Sequence, residues 1–233
     1  MGSKNRIAKY ILPIILENRN GKTYVEPFVG GANMIDKVEG ARIGADSNEY
    51  LVKALELIRD NVNNIPYLIS ENYYQLLKNK KEVNGITGFV GFAMSFGGKW
   101  FGGYRRDVAG TKGCIDNMKT QTRRSRQNAI NQSKEIQGVE FIHSNYQDLI
   151  IPKNSIIYCD PPYEGSTGYK DKFNHVNFWE WCRVKASEGH NIFISEYSAP
   201  YDFKCVWQKE VNSSLTKDTG SKKSVEKLFT IKY

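Results

Sequence analysis

Thr23-Tyr24-Val25-Glu26-Pro27-Phe28-Val29-Gly30-Gly31-Ala32-Asn33, followed by Ala41-Arg42-Ile43-Gly44-Ala45-Asp46, decides the fold. The first four residues read as a strand preceded by Gly21. Phe28 to Asn33 form a glycine-containing turn that leads into a short helical stretch. Ala41–Ala45 reads as a second strand ending at Asp46. From Asn48 to Asn61, Leu51, Ala54, Leu55 and Ile58 fall at helical spacing. Strand, glycine turn, helix, strand, acidic end, helix is the opening of an α/β nucleotide-binding unit.

Working outward, residues from about Ile7 to Leu16 are predicted helical, with Pro13 as a kink or break. Between about Pro66 and Gln137 the alternation stops, and polar, aromatic and glycine-rich pieces take over. It resumes with Val139–His143, Ser155–Cys159 and Asn191–Ser195. Cys205–Gln208 and Val225–Tyr233 read as two strands joined by the polar, basic stretch Asn212–Ser224, an antiparallel hairpin at the sheet edge. The expected organisation is one α/β domain, residues 1–65 and 138–233, carrying a mainly helical and loop insertion at 66–137.

The chain has 233 residues, 40% hydrophobic and 25% charged, and 33 Lys+Arg against 25 Asp+Glu give a net charge of +8. That balance favours a polyanionic partner. Cys114, Cys159, Cys182 and Cys205 are scattered without C-x-x-C spacing, and three histidines do not make a zinc set. A reduced, cytoplasmic setting without disulfides or metal is expected. The apolar run Ile11–Leu16 is too short to span a membrane, so no membrane partner is expected. Oligomeric state is not readable.

Two motifs carry chemistry. After the apolar run Ile156–Cys159, Asp160-Pro161-Pro162-Tyr163 stops a strand and stiffens the turn, because each proline fixes φ and removes a donor. The turn offers a carboxylate, carbonyl acceptors and an aromatic face, a set suited to a planar, amino-bearing group such as a nucleobase. The second motif is the turn from Glu26 to Gly31. Glycines there let a ligand approach the backbone, and Asp46, about twenty residues on, stands where a carboxylate accepts ribose hydroxyls. Glu26 suits a cationic or amino-bearing ligand rather than a pyrophosphate. The absence of G-x-G-x-x-G argues against a dinucleotide.

Together, Glu26-Pro27-Phe28-Val29-Gly30-Gly31, Asp46 and Asp160-Pro161-Pro162-Tyr163 resemble the Dam-type, S-adenosylmethionine-dependent DNA adenine N6-methyltransferases, in a compact phage- or prophage-like form. Lys4, within Gly2-Ser3-Lys4, is similar to the Gly-Gly-Lys element that opens these enzymes. The resemblance implies a Rossmann-like methyltransferase sheet whose insertion recognises the target, and a bacterial or phage-infected cell as the setting. It also implies S-adenosylmethionine held by Lys4, Glu26, Phe28, Gly30, Gly31, Asp46, Ser144, Asn145 and Asp160, and catalysis at Asp160, Pro161, Pro162 and Tyr163. The chain departs from the pattern in three places. No aromatic residue precedes the Gly-Gly-Lys-like element, Ala32 replaces a further glycine, and Ser144-Asn145-Tyr146 replaces an Asp-Phe pair.

Between Gly97 and Arg126, eight cationic side chains against Asp107 and Asp116 leave +6, most of the chain's excess. Lys99, Trp100, Tyr104, Arg105, Arg106, Lys112, Lys119, Arg123, Arg124 and Arg126 are the expected contacts to double-stranded DNA, cations to phosphates or guanine edges and aromatics to an extruded base. Phe96 and Phe101 are candidates for a small core. An exocyclic amine on RNA adenine or on cytosine N4 poses the same geometric problem. A catalytically silent DNA-binding relative is the remaining alternative.

Overall fold

The computed structural model describes residues 4–105, 115–164, 173–212 and 223–232. Seven strands form one sheet in the order β3-β2-β1-β4-β5-β7-β6. They are β1 (Tyr24–Glu26), β2 (Arg42–Asp46), β3 (Val139–His143), β4 (Ile156–Cys159), β5 (Asn191–Glu196), β6 (Phe203–Asn212) and β7 (Lys223–Ile231). β1 to β5 pair in parallel, and β7 runs antiparallel between β5 and β6. The order in which the chain adds strands reverses between β1 and β4, with β2 and β3 on one side and β5 on the other; there Tyr24 pairs with Ile156 and Val25 with Ile157. Ligands of open α/β sheets bind outside the carboxyl ends of strands at such a point.

Side-chain alternation sorts the sheet into two cores. Tyr24, Ile156 and Tyr158 enter one with α1 (Asn5–Leu16) and α2 (Glu49–Asn61). Val25, Ile157 and Cys159 enter the other with Phe178, Trp179, Trp181 and Cys182 of α6 (His175–Ser187). Burying both faces explains why these strands read as apolar runs. Pro13 lies inside α1 without ending it. Ile7, Ala8, Ile11, Leu12 and Ile15 hold that helix against the sheet.

The 66–137 stretch supplies α3 (Glu71–Lys80), α4 (Gly85–Ala93) and α5 (Ile115–Glu135). Ser70 and Asn84 cap the first two by accepting from the Tyr73 and Thr87 amides at 3.1 and 2.8 Å, as short polar side chains do at helix starts. Tyr74, Leu77, Phe89 and Ala129 share one core with α1, α2 and β1. The insertion is thus fused to the sheet rather than tethered to it. α5 leads directly into β3, and its Gln132 Nε2 donates to the Gly31 carbonyl at 2.8 Å, so the insertion also braces the glycine turn. β6 runs longer than the expected Cys205–Gln208 and carries a bulge between Cys205 and Trp207, while β7 starts and ends two residues before the expected Val225–Tyr233.

α4 approaches α2 through glycines. A Cβ on Gly88 would stand 2.0 Å from the Tyr50 carbonyl oxygen and 3.1 Å from Ala54 Cβ. Elsewhere in a helix, Gly→Ala gains up to ~1 kcal/mol. Gly88→Ala should instead destabilise by ~1–3 kcal/mol, because α2 and α4 must separate. Urea unfolding reads this as a lowered midpoint at unchanged slope; a midpoint at or above that of the wild type would contradict the packing.

Candidate active site

Three neighbouring strands end in carboxylates: Glu26 at the end of β1, Asp160 just past β4, and Glu196 at the end of β5. Glu26 is 3% exposed and Glu196 2%. Among the described residues, Glu26 Oε1 and Glu196 Oε2 are buried without a hydrogen-bond partner. A lone buried carboxylate oxygen is costly. Burial accordingly pushes the Glu26 pKa well above the usual carboxylate range, with Asp160 and Asp36 adding to the rise. The Glu196 carboxyl is pushed up to about 7, chiefly by burial.

Lys4 supplies the positive charge. Its Nζ lies 3.3 Å from Asp160 Oδ1 and 2.9 Å from Glu226 Oε2, and it also donates to the Tyr163 hydroxyl. That hydroxyl in turn donates to Glu226 Oε2 at 2.9 Å. Burial works to lower the Lys4 pKa, but Asp160 and Glu226 outweigh it and the net shift is upward. The Asp160 pKa is raised by burial and by Glu226, with Lys4 opposing. The Tyr163 ring packs edge-on against Tyr197, with centroids 4.6 Å apart. The Glu164 amide donates to Glu196 Oε1 at 2.8 Å, so β5 clamps the backbone that follows the Pro-Pro turn.

The glycine turn is built to leave space. Gly30 has φ +50, and nothing lies within 4 Å of where its Cβ would be. Its amide donates to Asp46 Oδ2 at 3.2 Å, and the Asn48 amide donates to Oδ1 at 2.9 Å. Each carboxylate oxygen keeps a second lone pair for a ligand hydroxyl. Ala32 also adopts the left-handed region, φ +57, the conformation that a glycine takes without strain.

The structure brings Lys4, Glu26, Gly30, Gly31, Asp46 and the Asp160–Tyr163 turn to the carboxyl end of the sheet. Phe28 is half-buried and packs its ring on Tyr146, Phe173 and Phe178. Ser144 holds the β2 end, its amide donating to the Asp46 carbonyl at 3.2 Å. Exposed Asn145 accepts the Gln147 amide. Glu196 and Glu226 were not singled out from sequence. Glu196 had a usable signal, an acid ending an apolar strand as Glu26 and Asp160 do; Glu226 had none. A cleft of about 590 Å³ between α2, α3 and α4, lined by Lys53, Leu57 and Tyr73, lies apart from this cluster.

In the insertion, Lys99, Arg105, Arg123 and Arg124 are exposed. Tyr104 is instead a core residue: it is 8% exposed and its hydroxyl donates to the Ile69 carbonyl at 2.6 Å, so its ring is not available to a base. Arg126 is partly spent on structure, donating to the Ile65 carbonyl and lying 4.2 Å from the Tyr67 ring centroid. Trp100 is 37% exposed and packs on Tyr50, Phe92 and Phe101. Phe101 is buried, as a core role requires, whereas Phe96 is 69% exposed. Arg106 and Lys112 lie outside the described residues, and of Lys119 only its place in α5 is described. Among the described residues, no group of three or more His, Cys, Asp or Glu is arranged to hold a metal, and no helix is long and apolar enough to cross a membrane.

The Glu196 environment has a measurable consequence. A carboxyl whose folded pKa is raised contributes stability at low pH, and loses it as pH climbs from the unfolded value to the folded one. Glu196→Gln should therefore melt progressively higher than wild type as pH rises to about 7, while the two converge in acid. A pH-independent difference in melting temperature would refute this.

The chain resembles solved structures only loosely. A tRNA (m1A58) methyltransferase, TrmI from Aquifex aeolicus, aligns at 8% identity and TM-score 0.43, over 100% of this chain and 70% of that one. A protein described as a class I S-adenosylmethionine-dependent methyltransferase from Listeria monocytogenes gives 9% identity and TM-score 0.42, over 97% and 58%. These likenesses add nothing to what the strand order establishes. No curated protein matches the chain. A family model matches residues 1–97 and 101–230, which takes in the glycine turn, Asp46, the Asp160–Tyr163 turn and Glu226. By that match over nearly its whole length, the chain belongs to the D12 class N6 adenine-specific DNA methyltransferase family.

Proposed function

We propose that this chain methylates N6 of an adenine swung out of double-stranded DNA, with Asp160, Pro161, Pro162 and Tyr163 as the catalytic turn. The observation that carries the reading is the partly exposed Asp160 carboxylate at the topological switch point, held between Lys4 and the buried Glu26 and Glu196. The family's described activity on DNA adenine favours this over RNA adenine or cytosine N4. The ion-paired, motif-complete turn favours an active enzyme over a silent relative.

The methyl donor that fits is S-adenosylmethionine. The orphaned Glu26 oxygen suits an ammonium, Asp46 suits a pair of hydroxyls, and Gly30 leaves the backbone approachable. Lys4, Phe28, Gly31, Ser144 and Asn145 complete the proposed surroundings. The donor, when bound, supplies an electrophilic methyl group on a sulfonium centre. The protein's part is to hold and orient the amine. Its lone pair is delocalised into the ring and is poorly nucleophilic. Acceptors placed out of the ring plane, Asp160 Oδ and the Pro161 carbonyl, favour a pyramidal nitrogen by taking its two N–H groups. Acceleration then comes from orientation and preorganised charge. Tyr163, fixed through its hydroxyl and propped by Tyr197, offers its ring to the extruded base. Pro162 keeps that turn stiff.

We assign residues 66–137 to target recognition. Exposed Lys99, Arg105, Arg123 and Arg124 support phosphate contact by this face, and Trp100 and Arg126 contribute in part. Arg106, Lys112 and Lys119 remain expectations from the charge pattern alone.

Two experiments test these assignments. Asp160→Ala should lose methyl transfer by a factor of ~10²–10³, the scale of removing a principal electrostatic group, with DNA affinity little changed. Activity persisting in a radiolabelled methyl-transfer assay would disprove the role. Substituting Arg123 and Arg124 together with Ala should weaken binding across DNA sequences and reduce the salt slope by about 2. An unchanged slope would remove this face from the interface.

A further inference from the structure

We propose that Glu226, on a strand that no motif reaches, is a positioning residue for the reaction: it draws the Lys4 ammonium and the Tyr163 hydroxyl together at the catalytic turn, so that Asp160 shares its cation instead of owning it. The inference rests on the reading of Asp160 and Tyr163 as catalytic, and adds a control element to it.

Two hydrogen bonds converge on a single oxygen. Lys4 Nζ and the Tyr163 hydroxyl each lie 2.9 Å from Glu226 Oε2, whereas Lys4 is 3.3 Å from Asp160 Oδ1. The ammonium thus sits nearer the carboxylate that does no chemistry. The Lys4 and Glu226 side chains are only 12% and 15% exposed, so solvent screens the arrangement weakly. β7 makes the contact possible. Running antiparallel beside β5, it pairs Lys227 with Glu196 and places Glu226 one residue away on the opposite face, with Lys209 of β6 as its cross-strand neighbour. Glu226 thereby ties Lys4, 222 residues away in the chain, to the 160–163 turn, 63 residues away.

Among the described residues, the titratable groups facing Asp160 are Lys4 before α1, Glu26 on β1, Tyr158 and Cys159 on β4, Tyr163 in the turn, Glu196 on β5 and Glu226 on β7. Lys4 alone among them is cationic. Removing the Glu226 charge takes away one like-charged neighbour and returns the ammonium to Asp160. Both changes favour the ionised carboxylate. Removing the side chain altogether also takes away the acceptor of the Tyr163 hydroxyl and leaves Lys4 to hold that ring.

The test is the pH dependence of kcat/KM for DNA, with melting temperatures measured in parallel. Glu226→Gln keeps an acceptor for Tyr163 and loses only the charge, so its acid limb should move to lower pH. Lys4→Met should move the limb to higher pH. Glu226→Ala should also reduce kcat about tenfold, and this loss should largely vanish in a Tyr163→Phe background, since both remove one interaction. A Glu226→Gln acid limb coincident with wild type, even with a lowered melting temperature, would reduce Glu226 to a structural residue. So would additive losses in the double variant. Should those results come with an inactive Asp160→Ala, only the Glu226 proposal falls; an active Asp160→Ala sinks the underlying reading of the turn.

Discussion

The parallel pairing of β1 with β4 is the constraint on which the rest depends. Tyr24 against Ile156 and Val25 against Ile157 fix the register of two strands separated in sequence by the whole insertion. That register puts Glu26 level with Tyr158, and so one same-face position short of Asp160. A shift of one residue would send Tyr24 to the α6 side and Val25 to the α1 side, exchanging the contents of two packed cores. The apolar faces that make the sheet stable therefore also set the separation of the donor's glycine turn from the base-gripping turn. Stability and catalytic geometry are not independent here.

The charge distribution at that junction is crowded with acid. Asp160 and Glu226 share one lysine, Glu26 and Glu196 end the strands on either side, and among the described residues Glu26 Oε1 and Glu196 Oε2 are buried without partners. Such an arrangement persists only where the surrounding structure over-determines it. The donor and the base proposed above, one cationic and amino-bearing and the other amine-bearing, are chemistries that would relieve it. The raised pKa values of Glu26 and Glu196 express the same crowding and burial.

Much of this was legible in the sequence, for reasons that particular residues make plain. The glycine turn, Asp46 and Asp160-Pro161-Pro162-Tyr163 are local patterns whose meaning survives without knowledge of the fold. The six strands placed from sequence before β7 fell where apolar runs met glycine, proline or acid. α6 was not foreseen, although Phe178, Trp181, Cys182 and Ala186 follow helical spacing, because bulky aromatics favour strands and obscured the period. Glu226 was illegible, since its role exists only through antiparallel pairing with β5. Tyr104 misled for the opposite reason. A ring amid glycines and arginines looked exposed, and only the Ile69 carbonyl reveals where its hydroxyl goes.

Single glycines of the insertion set how closely its helices pack. In the structure, Gly85 and Gly88 let α4 lie directly on α2, and Gly91 makes room for the Trp100 ring, 2.3 Å from where a Cβ would stand. Trp100 stacks in turn on Tyr50 of α2, with centroids 4.4 Å apart. The segment bearing Phe96, Lys99 and Arg105 is pinned at both ends, by the Ser95–Tyr104 bridge and by that tryptophan. α2 leads from the Asp46 end of β2, so the same helix supports the recognition segment and the donor side of the site. The distance between the segment proposed to read DNA and the proposed catalytic turn is consequently set by close-packed helices, which transmit displacement with little compression. A substitution that pushes α4 off α2 should therefore disturb both tasks together, through geometry rather than through any contact with DNA.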